Sequence, residues 1–64
     1  MTLSVSNEVR GRAIDVLDSV VQWPEDDWIL VEGGYELNLW TNEDGSKHAD
    51  LYVAGDLSKW VQVK

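Results

Sequence analysis

The sequence predicts an α+β fold in which one N-terminal amphipathic helix packs on a three- to four-stranded antiparallel sheet, in the order α-β-β-β-β. Three observations predict it. Apolar residues near the N-terminus recur at helical spacing, and later segments alternate apolar and polar side chains as strands do. Glycine-containing turn sequences separate those later segments, as they do in hairpins. At this length we expect residues 1–64 to form a single domain.

The first element, over residues 7–22, is predicted to be a helix. Ser6 or Asn7 can cap its N-terminus, and Glu8 can pair with Arg12 one turn later. We expect the helix to end before Pro24, which disfavours helical geometry at the residue preceding it. The buried stripe should comprise Val9, Ala13, Val16, Leu17 and Val20, widened by Ile14 and Val21.

The first strand, residues 28–31, is apolar on both sides, so its orientation depends on the loop that follows. A two-residue turn at Gly33-Gly34 would place Ile29 and Val31 on the face away from the helix. A three-residue loop would place Trp28 and Leu30 there instead. The sequence leaves both alternatives open.

The most specific local signal is Asn42-Glu43-Asp44-Gly45, which predicts a type I turn followed by a left-handed glycine and a G1 bulge. This three-residue loop sets the register of the hairpin. On the core face it pairs Leu39 with Ala49, Leu37 with Leu51 and Tyr35 with Val53. On the opposite face it pairs Trp40 with His48, Asn38 with Asp50 and Glu36 with Tyr52.

The remaining segments complete the predicted sheet. Residues 59–63 should form a last, edge strand that adds Val61 and Val63 to the core face and Trp60 to the opposite face. Leu3 and Val5 are candidates for a short extra strand.

Charge and composition narrow the range of functions. Twelve Asp and Glu against five Lys and Arg give a net charge of −7, which repels nucleic acid and anionic lipid and attracts basic partners. The same charge is also consistent with a role in solubility alone. The chain has no run of 18 apolar residues and no signal-peptide pattern at its start, so we expect a cytoplasmic protein that does not bind membranes.

Little in the sequence indicates catalysis. His48 and Asp50 share a face and could in principle hold a proton or a weakly bound metal, but no nucleophile accompanies them. No cysteine and a single histidine exclude a structural zinc site, and Gly33-Gly34 lacks the spacing of phosphate-binding loops. We therefore expect no enzyme activity, no cofactor and no metal.

The unusual feature is the sheet face away from the helix, which should be polar if it faced only water. It is predicted instead to carry Trp40, Tyr52 and Trp60, rimmed by acids. Trp and Tyr are enriched in interfaces. The alternative is that the N-terminal segment, residues 54–59 or Trp23 folds over this face.

The leading hypothesis is a small inhibitor or antagonist that docks on a basic surface of another protein. Acidic loops would steer the encounter and tryptophans would anchor it. In size and charge the chain is similar to small phage-encoded inhibitors, nucleic-acid mimics and immunity proteins of bacterial toxins. The candidate partner-binding residues are Trp28, Trp40, Tyr52 and Trp60, with the acids Glu25, Asp26, Asp27, Glu36, Glu43 and Asp44.

Three alternatives stand beside it. A homodimer could use the aromatic face as its seam. Trp40 and Trp60 lie 20 residues apart across a hairpin with Tyr52 between them, which resembles the spacing of WW domains and implies peptide binding. That resemblance covers about the last third of the chain and lacks the paired aromatics, the Asn-His loop and the closing proline. Stacking of single-stranded nucleic acid is disfavoured by the charge, since such grooves are basic.

Overall fold

A computed structural model, which describes residues 3–64, confirms the predicted architecture of one helix followed by a four-stranded antiparallel sheet. The strands lie side by side in chain order, so each pairs with the next through a short connection. The elements are α1 (Asn7–Asp18), β1 (Asp26–Val31), β2 (Tyr35–Thr41), β3 (Lys47–Val53) and β4 (Asp56–Gln62).

Helix α1 begins where the sequence predicts and ends earlier. The Ser6 hydroxyl accepts a hydrogen bond from the Val9 N–H, and Glu8 forms a surface ion pair with Arg12. The prediction that the helix extends to residue 22 is wrong, because Ser19 closes it. The Ser19 hydroxyl and N–H both donate to the Val16 carbonyl, and such side-chain bonding competes with further helical turns. Asp18 also opposes the dipole at this end.

The core lies between α1 and one face of the sheet. Leu37, Leu39 and Leu51 are fully buried, and each contributes about 2 kcal/mol through burial of its side chain. Val63 packs against this cluster, whereas Val53 stays partly exposed. The other buried residues are Ala13 and Leu17 from the helix and Val31, Ala49 and Val61 from the sheet. Two residues of the predicted buried stripe do not join the core, because Ile14 is exposed and Val21 lies beyond the helix end.

The β2–β3 hairpin has the predicted register at all six predicted pairs, from Tyr35 with Val53 to Trp40 with His48. Its turn is also as predicted: the Gly45 N–H donates to the Asn42 carbonyl, and Gly45 has a φ of +87°. The Asp44 carboxylate accepts hydrogen bonds from both the N–H and the hydroxyl of Ser46, which tightens the loop. This hairpin therefore assigns every residue of the two central strands to a face.

The first hairpin uses the three-residue loop, and this settles which side of β1 faces outward. Val31 pairs with Tyr35, so residues 32–34 form the connection, and both glycines in it have positive φ. Trp28 and Leu30 accordingly lie on the sheet face away from the helix, while Val31 joins the core.

The fourth strand starts earlier than predicted, at Asp56, and its ladder with β3 is interrupted. Val53 pairs with Asp56 and Tyr52 with Trp60, so the register of β3 with β4 shifts between these two pairs, as it does at a β-bulge. Leu3 and Val5 do not form the extra strand that the sequence suggested. The Leu3 N–H donates to the Trp60 carbonyl, and both side chains pack against the core. One backbone hydrogen bond is too few to extend the sheet.

Two glycine substitutions test the turn and the helix separately. We expect Gly45→Ala to destabilise the protein by about 1 to 2 kcal/mol, because a side chain disfavours the left-handed conformation. Gly11→Ala in α1 should stabilise it by about 1 kcal/mol, since alanine favours a helix and no atom crowds that position. Urea unfolding of both variants measures the two changes. Equal effects of the same sign would contradict the role assigned to Gly45.

Candidate functional site

The sheet surface opposite α1, called the outer face below, is built from three cross-strand rows. Alternation along each strand directs these side chains away from the core. Strand register then aligns them across the sheet. The rows are Asp26–Trp40–His48, then Trp28–Asn38–Asp50–Gln62, and then Leu30–Glu36–Tyr52–Trp60.

The rings of Trp28, Tyr52 and Trp60, which come from two of these rows, form a continuous line across the outer face, called the aromatic row below. The Trp28 and Tyr52 ring centroids are 5.1 Å apart, and those of Tyr52 and Trp60 are 6.2 Å apart. Both pairs are tilted, a geometry that stabilises aromatic contacts by about 0.5 to 1.5 kcal/mol beyond burial. Trp28 reaches over β2 to meet Tyr52, since their strands are not neighbours in the sheet. The aromatic row therefore joins β1, β3 and β4 on the outer face.

Trp40 belongs to a second cluster on the same face. Its ring stacks on His48, the residue opposite it in the predicted register, with 4.6 Å between centroids. Its Nε1–H donates to Asp50 Oδ2 at 3.1 Å. The ring nitrogens of His48 contact Ser46 Oγ at 2.9 Å and Gln62 Nε2 at 3.4 Å. The structure thus joins Asp50 to Trp40 rather than to His48, and the proton-sharing pair considered from the sequence is not formed.

Two of the candidates to cover the outer face, the N-terminal segment from Leu3 onwards and Trp23, lie elsewhere. Leu3, Val5 and Trp23 pack against the buried cluster that α1 shares with the sheet, and Trp23 Nε1–H donates to the Trp40 carbonyl. On the outer face Trp28 is 43% exposed and Leu30 is 78% exposed. Trp40, Tyr52 and Trp60 are partly exposed. The described chain therefore leaves the aromatic row partly open to solvent, most of all at Trp28.

The charge of the outer face is of one sign. Its rows contain Asp26, Glu36 and Asp50 but no Lys or Arg. Asp26 accepts a hydrogen bond from Asn38 Nδ2 at 2.7 Å, a neutral donor that leaves the carboxylate charge uncompensated. Over residues 3–64, the salt bridges are Glu8 with Arg12 and Asp56 with Lys59, and neither involves this face.

Candidate acids from two segments of the chain gather at one end of the sheet. The Thr41 N–H donates to the Glu25 carbonyl at 3.0 Å, and its hydroxyl donates to the Pro24 carbonyl at 2.7 Å. These bonds hold the start of β1 beside the end of β2, and the β2–β3 turn follows. Lys47, opposite Thr41, partly offsets the charge at this end. The acids brought together are Glu25, Asp26 and Asp27 from the first segment and Glu43 and Asp44 from the turn.

Within residues 3–64, local hydrogen bonds and burial shift three pKa values. Bonds from Ser46 lower the pKa of Asp44, and bonds from Ser58 lower the pKa of Asp56. Burial, and secondarily the negative charge of Asp50, raise the pKa of Tyr52. Both effects favour the neutral phenol of Tyr52 over its phenolate.

Neither a model of a known protein family nor any curated protein or solved structure matches the chain. Residues 3–64 contain no helix long and apolar enough to cross a membrane. The same residues form no pocket, and they include no group of three side chains suited to hold a metal ion.

Two residues of the outer face, Leu30 and Asp50, were not among the candidate partner-binding residues. The face on which Leu30 lies was left open, because two loop lengths were possible. The pairing of Val31 with Tyr35 shows that Leu30 lies on the outer face, where it is exposed. Asp50 was correctly placed on this face opposite Asn38, but its only predicted interaction was with His48. Its hydrogen bond with Trp40 depends on side-chain geometry that periodicity does not specify.

The titration of Tyr52 tests the electrostatics of the outer face. In a Tyr35→Phe background, we expect the Tyr52 phenol to ionise above its ordinary pKa of 10.0, because burial and Asp50 favour the neutral form. Asp50→Asn should lower that midpoint part of the way and leave the shift caused by burial. Phenolate absorbance in the near ultraviolet measures both.

The raised pKa also sets the sign of the stability change. Stability from neutral Tyr52 is fully present below the unfolded pKa and is lost as pH rises through the folded value. Asp15→Asn removes an equal charge from the exposed surface of α1 and serves as the control. A Tyr52 midpoint that Asp50→Asn leaves unchanged would contradict the arrangement.

Proposed function

We propose that this protein is a small acidic inhibitor or antagonist that docks its outer face on a basic surface of another protein. The observation that carries the proposal is an open aromatic row on a face that bears three carboxylates and no Lys or Arg. The aromatic row would anchor the partner, and the carboxylates would favour a partner with a basic surface.

The aromatic row supplies the anchoring contacts. Interfaces derive most of their affinity from a few residues, among which Trp and Tyr are enriched. Trp28 is 43% exposed and is braced by Tyr52, so a partner would meet a ring that is already positioned. Because a positioned ring loses little side-chain entropy on binding, more of its contact energy contributes to affinity.

The carboxylates determine the kind of partner. Asp26, Glu36 and Asp50 would lose hydration in a contact, and an unpaired buried charge costs several kcal/mol. A basic surface offers Lys and Arg to pair with them, and Arg can in addition stack on the rings. The net charge of −7 and the acids at residues 25–27 and 43–44 would speed the encounter with such a surface.

The same charge argues against the homodimer. Two copies joined by their outer faces would each bring the same three carboxylates, and neither face carries Lys or Arg to pair with them. Both copies would also carry a net charge of −7 into the contact. We therefore favour a basic protein over a second copy as the occupant of this face.

Affinity measured with matched variants tests the proposal. A basic protein captured from lysate of the source organism would be purified, and its binding measured at about 50 and about 500 mM salt, where screening differs severalfold. We expect Trp28→Ala to weaken binding about 30-fold, as loss of an interface anchor does. Val21→Ala removes an exposed apolar side chain that follows α1 and lies outside the outer face, and it should leave affinity unchanged.

A second pair of variants tests the charge. Glu36→Gln should weaken binding more than Asp18→Asn, although each removes one negative charge, because only Glu36 lies on the outer face. Thermal unfolding of each variant checks that the fold persists. Binding that is insensitive to salt and equal for these two variants would overturn the proposal. A dimer in sedimentation that Trp28→Ala dissociates would support the homodimer instead.

A further inference from the structure

We propose that the open edge of β1 receives an extended, basic segment of the partner as a fifth strand of the sheet. This inference rests on the proposed function for the chemistry of the partner, and it adds where and how that partner is held. Three observations carry it: the orientation of the backbone groups of β1, the difference between the two sheet edges, and the charges beside β1.

The hydrogen-bonding pattern shows which backbone groups face outward. The Thr41 N–H donates to the Glu25 carbonyl, so this opposed pair is hydrogen-bonded. Hydrogen-bonded and non-hydrogen-bonded pairs alternate along an antiparallel ladder. The register of β1 with β2 then directs the N–H and C=O groups of Asp26, Trp28 and Leu30 away from β2, toward the open edge.

A side-chain contact agrees with this assignment. The Trp28 N–H donates to the Asp27 carboxylate at 2.9 Å, which a group committed to β2 would not do. The edge N–H groups of Asp26 and Leu30 have no such partner among the described residues. A pairing strand would meet these donors and the edge carbonyls, and would displace one local carboxylate contact.

The other edge of the sheet is already partly occupied. The Leu3 N–H donates to the Trp60 carbonyl on β4, and a register shift interrupts the β3–β4 ladder. Interruptions of this kind protect edge strands against pairing. Strand β1 instead is a regular six-residue strand that ends the sheet, and its exposed side chains include Trp28 and Leu30.

The carboxylates beside β1 indicate that the segment received at this edge is basic. Strand β1 starts with Asp26 and Asp27, follows Glu25 and is followed by Glu32, so carboxylates lie at both ends of the edge. A fifth strand would extend the outer face, where its alternate side chains would adjoin Asp26, Trp28 and Leu30. Arg or Lys at such positions would pair with the carboxylates and stack on Trp28. A second copy would bring the same acids, which disfavours self-pairing.

The test uses a synthetic ten-residue peptide that alternates arginine and valine, with a glutamate–valine peptide as the charge control. Bound to the isotopically labelled protein, the arginine peptide should slow amide exchange at Asp26 and Leu30 about tenfold or more, since pairing removes these groups from water. The glutamate peptide should not bind. Amide exchange followed by NMR reports each residue separately.

A matched pair of variants at Leu30 isolates the backbone contribution. Leu30→Pro removes an edge N–H without touching the β1–β2 ladder, and proline is tolerated where a strand N–H faces solvent. Leu30→Thr removes the same apolar side chain and keeps the N–H. We expect the proline variant to bind the arginine peptide about tenfold more weakly than the threonine variant, because a partner carbonyl loses its donor.

The outcomes separate this inference from the proposed function. Equal peptide affinity of the two Leu30 variants, or protection confined to amides of β3 and β4, would overturn strand addition. So would failure of the arginine peptide to bind the wild-type protein. In each of those cases, docking through the outer face is still tested independently by the affinity of the Trp28 and Glu36 variants for the purified partner.

Discussion

The register of the β2–β3 hairpin is the constraint on which the rest of the structure depends. Side chains alternate along a strand, so a slip of one residue would exchange the core and outer faces of a strand. The turn at Gly45 excludes that slip by fitting three residues between the strands, with the glycine in the left-handed region. Leu37 and Leu51 are buried, and Tyr52 is outward, because this loop has this length.

The same hairpin couples stability to the proposed binding surface. Each strand residue that contributes to the core has a neighbour on the outer face, so the two surfaces are specified together. In 64 residues the apolar side chains exceed what one 12-residue helix can cover. The fold places the aliphatic residues beneath the helix and the aromatic row on the open side. The tilted contacts among these rings then bury part of the aromatic surface that the helix does not cover.

The features that could be predicted from the sequence are those that turn residues, helix caps and side-chain alternation determine locally. The turn residues and alternating pattern specified the central hairpin register, and Ser6 specified the start of the helix. The helix end was missed because Pro24 was given more weight than Ser19, whose hydroxyl bonds to the preceding turn. The orientation of β1 depended on the length of a glycine loop, which composition alone does not decide. Trp40 and Asp50 meet through side-chain geometry, which has no periodic signal.

Charge and apolar surface on the outer face have opposite consequences for self-association, and their combination explains how such a face can remain open. An exposed aromatic row beside an unpaired edge strand would by itself favour aggregation. Carboxylates at Asp26, Glu36 and Asp50 oppose contact between identical copies, since each contact would bury like charges. They favour contact with a basic surface for the same reason. In the proposed function the acids would therefore act as selectivity elements, because one arrangement of charge would disfavour a second copy and favour a cationic partner.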